Sequence, residues 1–305
     1  MSNIELMSNG VGTEEEYVKE LQDALESKYK GKYVFEYKET DGLNGIRLKT
    51  LIATDISGRE VFLIPVEDAY ENLFFIDFDE IFENICHHIE QMENFYASED
   101  MSKAVAEVAH PWLINKDMNE DLLHRCPHSI LGDYAIVYRL CTSFSNFQRN
   151  YGILFWKDME TYLLDCEWFY NQVIDNVQDT SLYKVIRFDN GYPHDVYDFS
   201  YREENKCNKY LVQGITPYCA NGSLFCTNLW KKIGEMIGEN YYIYPSSVHE
   251  WEVVSCSKVT KEELANDVSE RNEGLLPEHV LGKEFYLYDV KHSSYMCCNS
   301  DFDEE

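Results

Sequence analysis

The stretch Tyr241-Tyr242-Ile243-Tyr244-Pro245-Ser246-Ser247-Val248-His249-Glu250-Trp251-Glu252-Val253-Val254-Ser255 decides the fold class. Tyr241–Tyr244 and Trp251–Ser255 are rich in aromatic and β-branched residues, which suit a pleated, half-buried surface. The polar break at 245–250 leaves them close enough in sequence to pair antiparallel. Helical patterns flank the pair. Upstream, Leu229, Trp230, Ile233 and Ile237 mark one stripe after a cap at Thr227, and Gly238 stops it. Downstream, Thr260-Lys261-Glu262-Glu263 is a capping box opening a helix to about Asn272. Strands that pair locally, with helices set between the pairs, indicate an α+β protein with antiparallel sheets and helices packed on one face.

The same pattern continues outward. Glu284–Tyr288 and Ser293–Met296 predict a closing hairpin through Asp289–His292. Lys209–Val212 and Ser223–Cys226 read as strands. Residues 189–208 hold a turn cluster, Asp189-Asn190-Gly191-Tyr192-Pro193, and a polar run. They predict a long surface loop and a boundary near 205. Two subregions follow, 13–205 and 206–298, between a frayed start at 1–12 and an acidic tail at 299–305. In the first, Thr13-Glu14-Glu15-Glu16 is a capping box for a helix carrying Tyr17, Leu21, Leu25 and Tyr29. Strands are predicted at Tyr33–Tyr37, Gly45–Ala53 and Glu60–Pro65. Asp77 caps a helix with its stripe at Phe78, Ile81, Phe82, Ile85, Ile89, Met92 and Tyr96, and His87 and His88 fall off that stripe. Trp112–Asn115, Tyr134–Cys141 and Tyr151–Phe155 read as strands, with a short helix near Met118–His124. One amphipathic helix is expected from Met159 to Val177.

Composition bounds the function. The 305 residues carry 55 acidic and 26 basic side chains, a formal net charge of −29. Such a surface repels nucleic-acid phosphates and anionic lipid headgroups, so neither nucleic acid nor membrane is an expected partner. No run of about 18 apolar residues occurs, so no membrane-spanning helix is expected. The first residues lack the basic and apolar regions of a signal peptide. The ten cysteines are scattered without a C-x-x-C pair, which predicts free thiols, a cytoplasmic location and no metal site. There is no G-x-G-x-x-G, no G-x-x-x-x-G-K-[ST], no H-E-x-x-H and no G-x-S-x-G, and no cofactor is expected.

Two segments hold the candidate functional residues: His128 with Asp133, and Ser246, Ser247, His249 and Glu250. A hydrolase-like site would use Ser246 or Ser247 as nucleophile and His249 or His128 as base. Neighbours in a strand point to opposite faces, so His249 and Glu250 are poorly placed as a base and its orienter. In the structural reading Pro245 ends its strand. The two serines then satisfy the freed backbone, and His249 bonds a neighbour near His128 or Asp133. The leading expectation is a non-enzymatic binding or interaction protein with a protein or peptide partner. Nothing in the pattern sets an oligomeric state.

These segments also carry a resemblance. Met118-Asn119-Glu120-Asp121-Leu122-Leu123, Pro127-His128 and Asp133-Tyr134-Ala135-Ile136-Val137-Tyr138 are similar to the pattern "N-x-x-L-L-x-x-x-P-H … D-L-A-V-V-Y". Tyr241–Glu250 resembles "F-Y-V-L-P-S-S-I-H-E". Glu263-Leu264, Asn272 and Glu284–Tyr288 look like the ending "E-E-L … V-N … E-x-L-S-D-x-V-Y-x-Y", and pieces of 61–70 and 78–89 match as well. The patterns belong to a bacterial family of uncharacterised proteins, domain of unknown function 5688. The family's "L-T-N … G-A" before the helix at 227 is replaced by Gly214-Ile215-Thr216-Pro217 and Ala220-Asn221-Gly222-Ser223. The resemblance implies relatedness and carries no activity.

Overall fold

The computed structural model describes residues 13–41, 47–58, 60–66, 69–70, 73, 76–141, 151–189, 192–196, 207–215 and 221–298. The expectations for 1–12 and 299–305 lie outside them. The chain divides into two compact units, residues 1–104 with 141–152, and residues 105–140 with 153–305.

The first unit begins with α1 (Glu14–Lys28), whose capping box forms as the sequence predicts. Thr13 Oγ1 accepts from Glu16 N at 3.2 Å, and Glu16 Oε2 accepts from Thr13 N at 2.9 Å. Strands β1 (Tyr33–Asp41), β2 (Arg47–Asp55) and β3 (Glu60–Pro65) form an antiparallel sheet in that order. Register aligns Phe35, Ala53 and Phe62 in one row and Tyr37, Leu51 and Ile64 in the next. Most of these residues bury against Tyr17, Leu21 and Leu25 of α1 and Ile81, Ile85 and Ile89 of α2 (Phe78–Tyr96). Asp77 caps α2, accepting from Glu80 N at 2.8 Å. His88 departs from expectation: it is buried with its Nδ1 unbonded. Burial, with the neighbouring His87, lowers its pKa to about 4, so the imidazole is neutral near pH 7.

After α3 (Met101–Val108), β4 (Ala109–Asn115) pairs with β6 (Tyr134–Cys141), which also pairs with β5 (Ser129–Leu131). The predicted short helix near Met118–His124 is a 3-10 turn at Asp117–Asn119 continued by α4 (Glu120–Leu123). Beyond β7 (Tyr151–Ile153), the single helix expected over Met159–Val177 is two: α5 (Trp156–Thr161) and α6 (Cys166–Asn176). Leu163 breaks it at φ +53°, and Asp165 starts α6 by accepting from Trp168 N at 2.8 Å. The spacing that suggests one helix counts Leu163 and Cys166, which are exposed, whereas Met159, Leu164, Phe169 and Val173 are the buried residues on the two sides of the corner.

The large sheet has the order β14-β13-β11-β12-β10-β8-β9. Its strands are β8 (Tyr183–Asp189), β9 (Tyr192–Val196), β10 (Lys209–Gly214), β11 (Tyr241–Ser247), β12 (Glu250–Ser255), β13 (Tyr286–Asp289) and β14 (Ser294–Cys297). Its pairings are antiparallel, as the sequence predicts. β9 falls where a loop was expected. The predicted boundary near 205 falls inside the second unit, where β8 and β10 on its two sides pair directly.

Helix α7 (Thr227–Ile237) covers one face. Leu229, Trp230, Ile233, Met236 and Ile237 pack with Tyr241, Ile243, Trp251, Val253, Tyr210 and Val212. Gly238 ends it at φ +79°, its N–H bonding Gly234 O at 2.8 Å. Helix α8 (Lys261–Gly274) covers part of the other face, with Leu264 and Val268 against Tyr244 and Phe285. The expectation of helices on one face only is thus corrected for this sheet. β11 is apolar at successive positions, so both faces need cover.

The segment before α7 differs as well. Asn221–Phe225 is a 3-10 helix where a strand over Ser223–Cys226 was predicted, and Cys226 rather than Thr227 is the cap residue. Asn221 is the reason. Its buried side chain serves β4 as a neighbouring strand would, Oδ1 accepting from Leu113 N at 3.1 Å and Nδ2 donating to Leu113 O at 2.6 Å. Gly222 lets the backbones approach, since a Cβ there would lie 2.7 Å from Pro111 O.

Candidate functional site

Pro245 lies within β11, not at its end. Register shifts between Pro245, opposite Trp251, and Ser247, opposite Glu250, leaving Ser246 as the extra residue of a bulge. A bulge accommodates proline because the ladder is already interrupted there. Ser246 Oγ donates to Glu250 Oε2 at 3.1 Å. Gln213 Nε2, opposite Glu250 on β10, donates to Glu250 Oε1. Ser247 Oγ accepts from His249 N at 3.1 Å and closes the turn. Val248 N donates to His279 O at 3.1 Å, and the His249 and His279 rings lie 5.7 Å apart.

The structure therefore joins Ser246 to Glu250 and Ser247 to His249. Each serine bond is of a fastening kind, one to a carboxylate and one from a backbone N–H. A serine nucleophile needs its hydroxyl aimed at a base nitrogen. His128, exposed, bonds through Nδ1 to Cys126 O at 3.0 Å. Asp133 does reach the C-terminal region, but at another place, its Oδ2 accepting from Lys283 N at 3.2 Å.

That place is a buried acidic cradle which the sequence reading missed. Glu284 is 8% exposed. Its carboxylate rests on Gly132, where a Cβ would lie 1.6 Å from Oε1 and where φ is +59°. Tyr134 Oη donates to Glu284 O at 2.6 Å, and Gly282 sits against the Tyr134 ring, which a Cβ would meet at 2.4 Å. Gly132-Asp133-Tyr134 and Gly282-Lys283-Glu284 thus interlock, each glycine receiving the other segment. Glu284 Oε2 and the buried Tyr286 hydroxyl have no hydrogen-bond partner. Burial, then the Asp133 carboxylate, push the Glu284 pKa up, and burial with Glu284 pushes that of Tyr286 up further. The cradle can hold a proton on Glu284 more readily than an exposed carboxyl does. The signal in the sequence was a glycine two residues before an acid at the start of a strand segment, which has no meaning until its counterpart is known.

A third polar group is ionic. Glu252 accepts from Tyr244 Oη at 2.5 Å, Lys209 Nζ at 2.7 Å and Arg271 Nη1 at 2.5 Å. Burial pushes its pKa up, but these donors outweigh burial and hold it below the usual range. This network ties α8 to β12 and β10.

Among the described residues no group of three or more His, Cys, Asp or Glu could hold a metal ion. Cys86, Cys126, Cys166, Cys207, Cys226, Cys256, Cys297 and Cys298 are free thiols. No described helix is long and apolar enough to cross a membrane. The model of a family of unknown function matches residues 14–290 of the chain. No curated protein and no solved structure matches it.

Proposed function

Since the chain belongs to the family of unknown function 5688, whose description carries no activity, we propose that it is a binding or interaction protein of the cytoplasm and not an enzyme. The observation that supports this reading is the use of the candidate hydrolase groups. Ser246, Ser247 and Glu250 are bonded as parts of a bulge and a turn, and His128 bonds the backbone of its own loop. Groups held this way fasten strands and do not present a nucleophile and base to a substrate. The free thiols agree with a reducing compartment. The partner is a protein or peptide, recognised by a surface rich in carboxylates and aromatic rings.

A fluorophosphonate probe tests the choice directly. The reading predicts no labelling of Ser246 or Ser247 in the folded chain, together with reproducible, saturable capture of a protein partner from the producing cell's lysate. Stoichiometric labelling of either serine, abolished by His249→Ala, would overturn it in favour of a hydrolase.

A further inference from the structure

The hairpin that closes the large sheet sets a thiol against the acidic cradle. Cys297 stands directly opposite Tyr286 in the β13–β14 ladder, so the two side chains share a face. Glu284 lies two residues before Tyr286, and the Cys297 thiol bonds its carboxyl. That carboxyl is held in place. Gly132 receives it, and Tyr134 Oη fixes the Glu284 backbone through its carbonyl. Cys297 itself is half-buried, so part of it meets solvent.

Two polar groups beside this thiol remain unmatched. Glu284 Oε2 and Tyr286 Oη lack hydrogen-bond partners, in side chains only 8% and 1% exposed. Burial first, then the charges of Glu284 and Cys297, raise the Tyr286 pKa, so the three groups act on one another. A buried oxygen left unbonded costs free energy, which an added polar atom would recover. Burial also lifts the Glu284 carboxyl toward the thiol range. A base closer in pKa to the acid it deprotonates takes the proton more readily.

We propose that Cys297 is a site of oxidation by hydrogen peroxide, with Glu284 accepting the thiol proton and Tyr286 donating to the oxygen gained. The sulfur attacks one peroxide oxygen. An S–O bond forms and the O–O bond breaks. The thiol proton passes to Glu284 and from there to the leaving hydroxide, which departs as water. Sulfur gives up two electrons, peroxide takes them, and a sulfenic acid remains. Its oxygen supplies the partner that the Tyr286 hydroxyl lacks. The step is stoichiometric and stands independently of the binding reading above.

Limiting hydrogen peroxide with the sulfenic-acid trap dimedone, followed by peptide mass spectrometry, tests it on the full chain. A Cys298→Ser background removes the adjacent thiol, which would otherwise condense with the product. The adduct should collect at Cys297 ahead of Cys166. Cys166 is the exposed thiol among the described cysteines and would lead if access alone governed oxidation. Glu284→Gln keeps the shape and should slow labelling of Cys297 about tenfold or more, with Cys166 unchanged as the internal reference. Tyr286→Phe should shorten the life of the sulfenic acid, read by delaying the addition of dimedone. Labelling of Cys166 ahead of Cys297 in the parent chain would overturn the proposal without recourse to any variant at the cradle. An equal rate at Cys297 with and without Glu284→Gln would overturn it as well.

Discussion

Glu284 and Gly132 give the sharpest expectation for one residue. A carboxyl whose folded pKa is raised contributes stability below its ordinary value, and that contribution is lost as pH rises through the raised value. Near pH 7 burial and the neighbouring Asp133 carboxylate therefore disfavour the ionised form of Glu284 in the native state relative to the unfolded chain. Glu284→Gln keeps the shape and removes the charge. Its melting temperature should exceed that of the unmodified protein near pH 7, and the difference should close toward about pH 4, where an ordinary carboxyl protonates. An equal difference at both pH values would mean that charge is not the cause. Gly132→Ala acts oppositely, since it places a methyl group inside the carboxylate's position. The sequence marked Asp133 as a candidate and overlooked Glu284. An acid at the head of a strand has no visible partner until the chain returns to it.

The elements formed largely where local chemistry predicted them, and they failed where a distant group intervened. The capping boxes at Thr13 and Thr260 and the cap at Asp77 are complete within four residues, so pattern alone locates them. The 3-10 segment at Asn221–Phe225 is the contrary case. Its strand-like composition yields to Asn221, whose side chain closes both hydrogen bonds of Leu113 on β4. Asn221→Ala would leave a buried backbone donor and acceptor unmade. At about 1–3 kcal/mol for each such group, the loss should be at least about 2 kcal/mol, read as a lower urea midpoint with unchanged slope. Asn221→Asp, which keeps only the acceptor, should lie at least as low. A midpoint within error of the unmodified protein for Asn221→Ala would show that water replaces the amide at no cost. The corner at Leu163 fails from sequence for a related reason. Met159, Tyr162, Leu163, Cys166, Phe169, Tyr170 and Val173 keep a helical spacing across a break whose only local mark is Asp165.

For the whole molecule, charge is the property read most directly. With 55 acidic against 26 basic side chains, mobility-shift titrations with single- and double-stranded oligonucleotides should show no complex at physiological salt. Salt-sensitive submicromolar binding would reveal a local basic patch that outweighs the total. Net charge, the free-cysteine pattern, the α+β class and the antiparallel pairing of Tyr241–Tyr244 with Trp251–Ser255 were determined by the sequence itself. Each depends on composition or on neighbours within a turn or a hairpin. Tertiary structure alone decided that β8 and β10 pair across the polar stretch at 189–208 and that α8 covers a second face of the sheet. It also decided that Ser246 bonds Glu250 within a bulge and that Glu284 comes to rest on Gly132. These are meetings between residues far apart in the chain. Local propensity assigns them no energy, and only the register of the packed strands brings the atoms within reach.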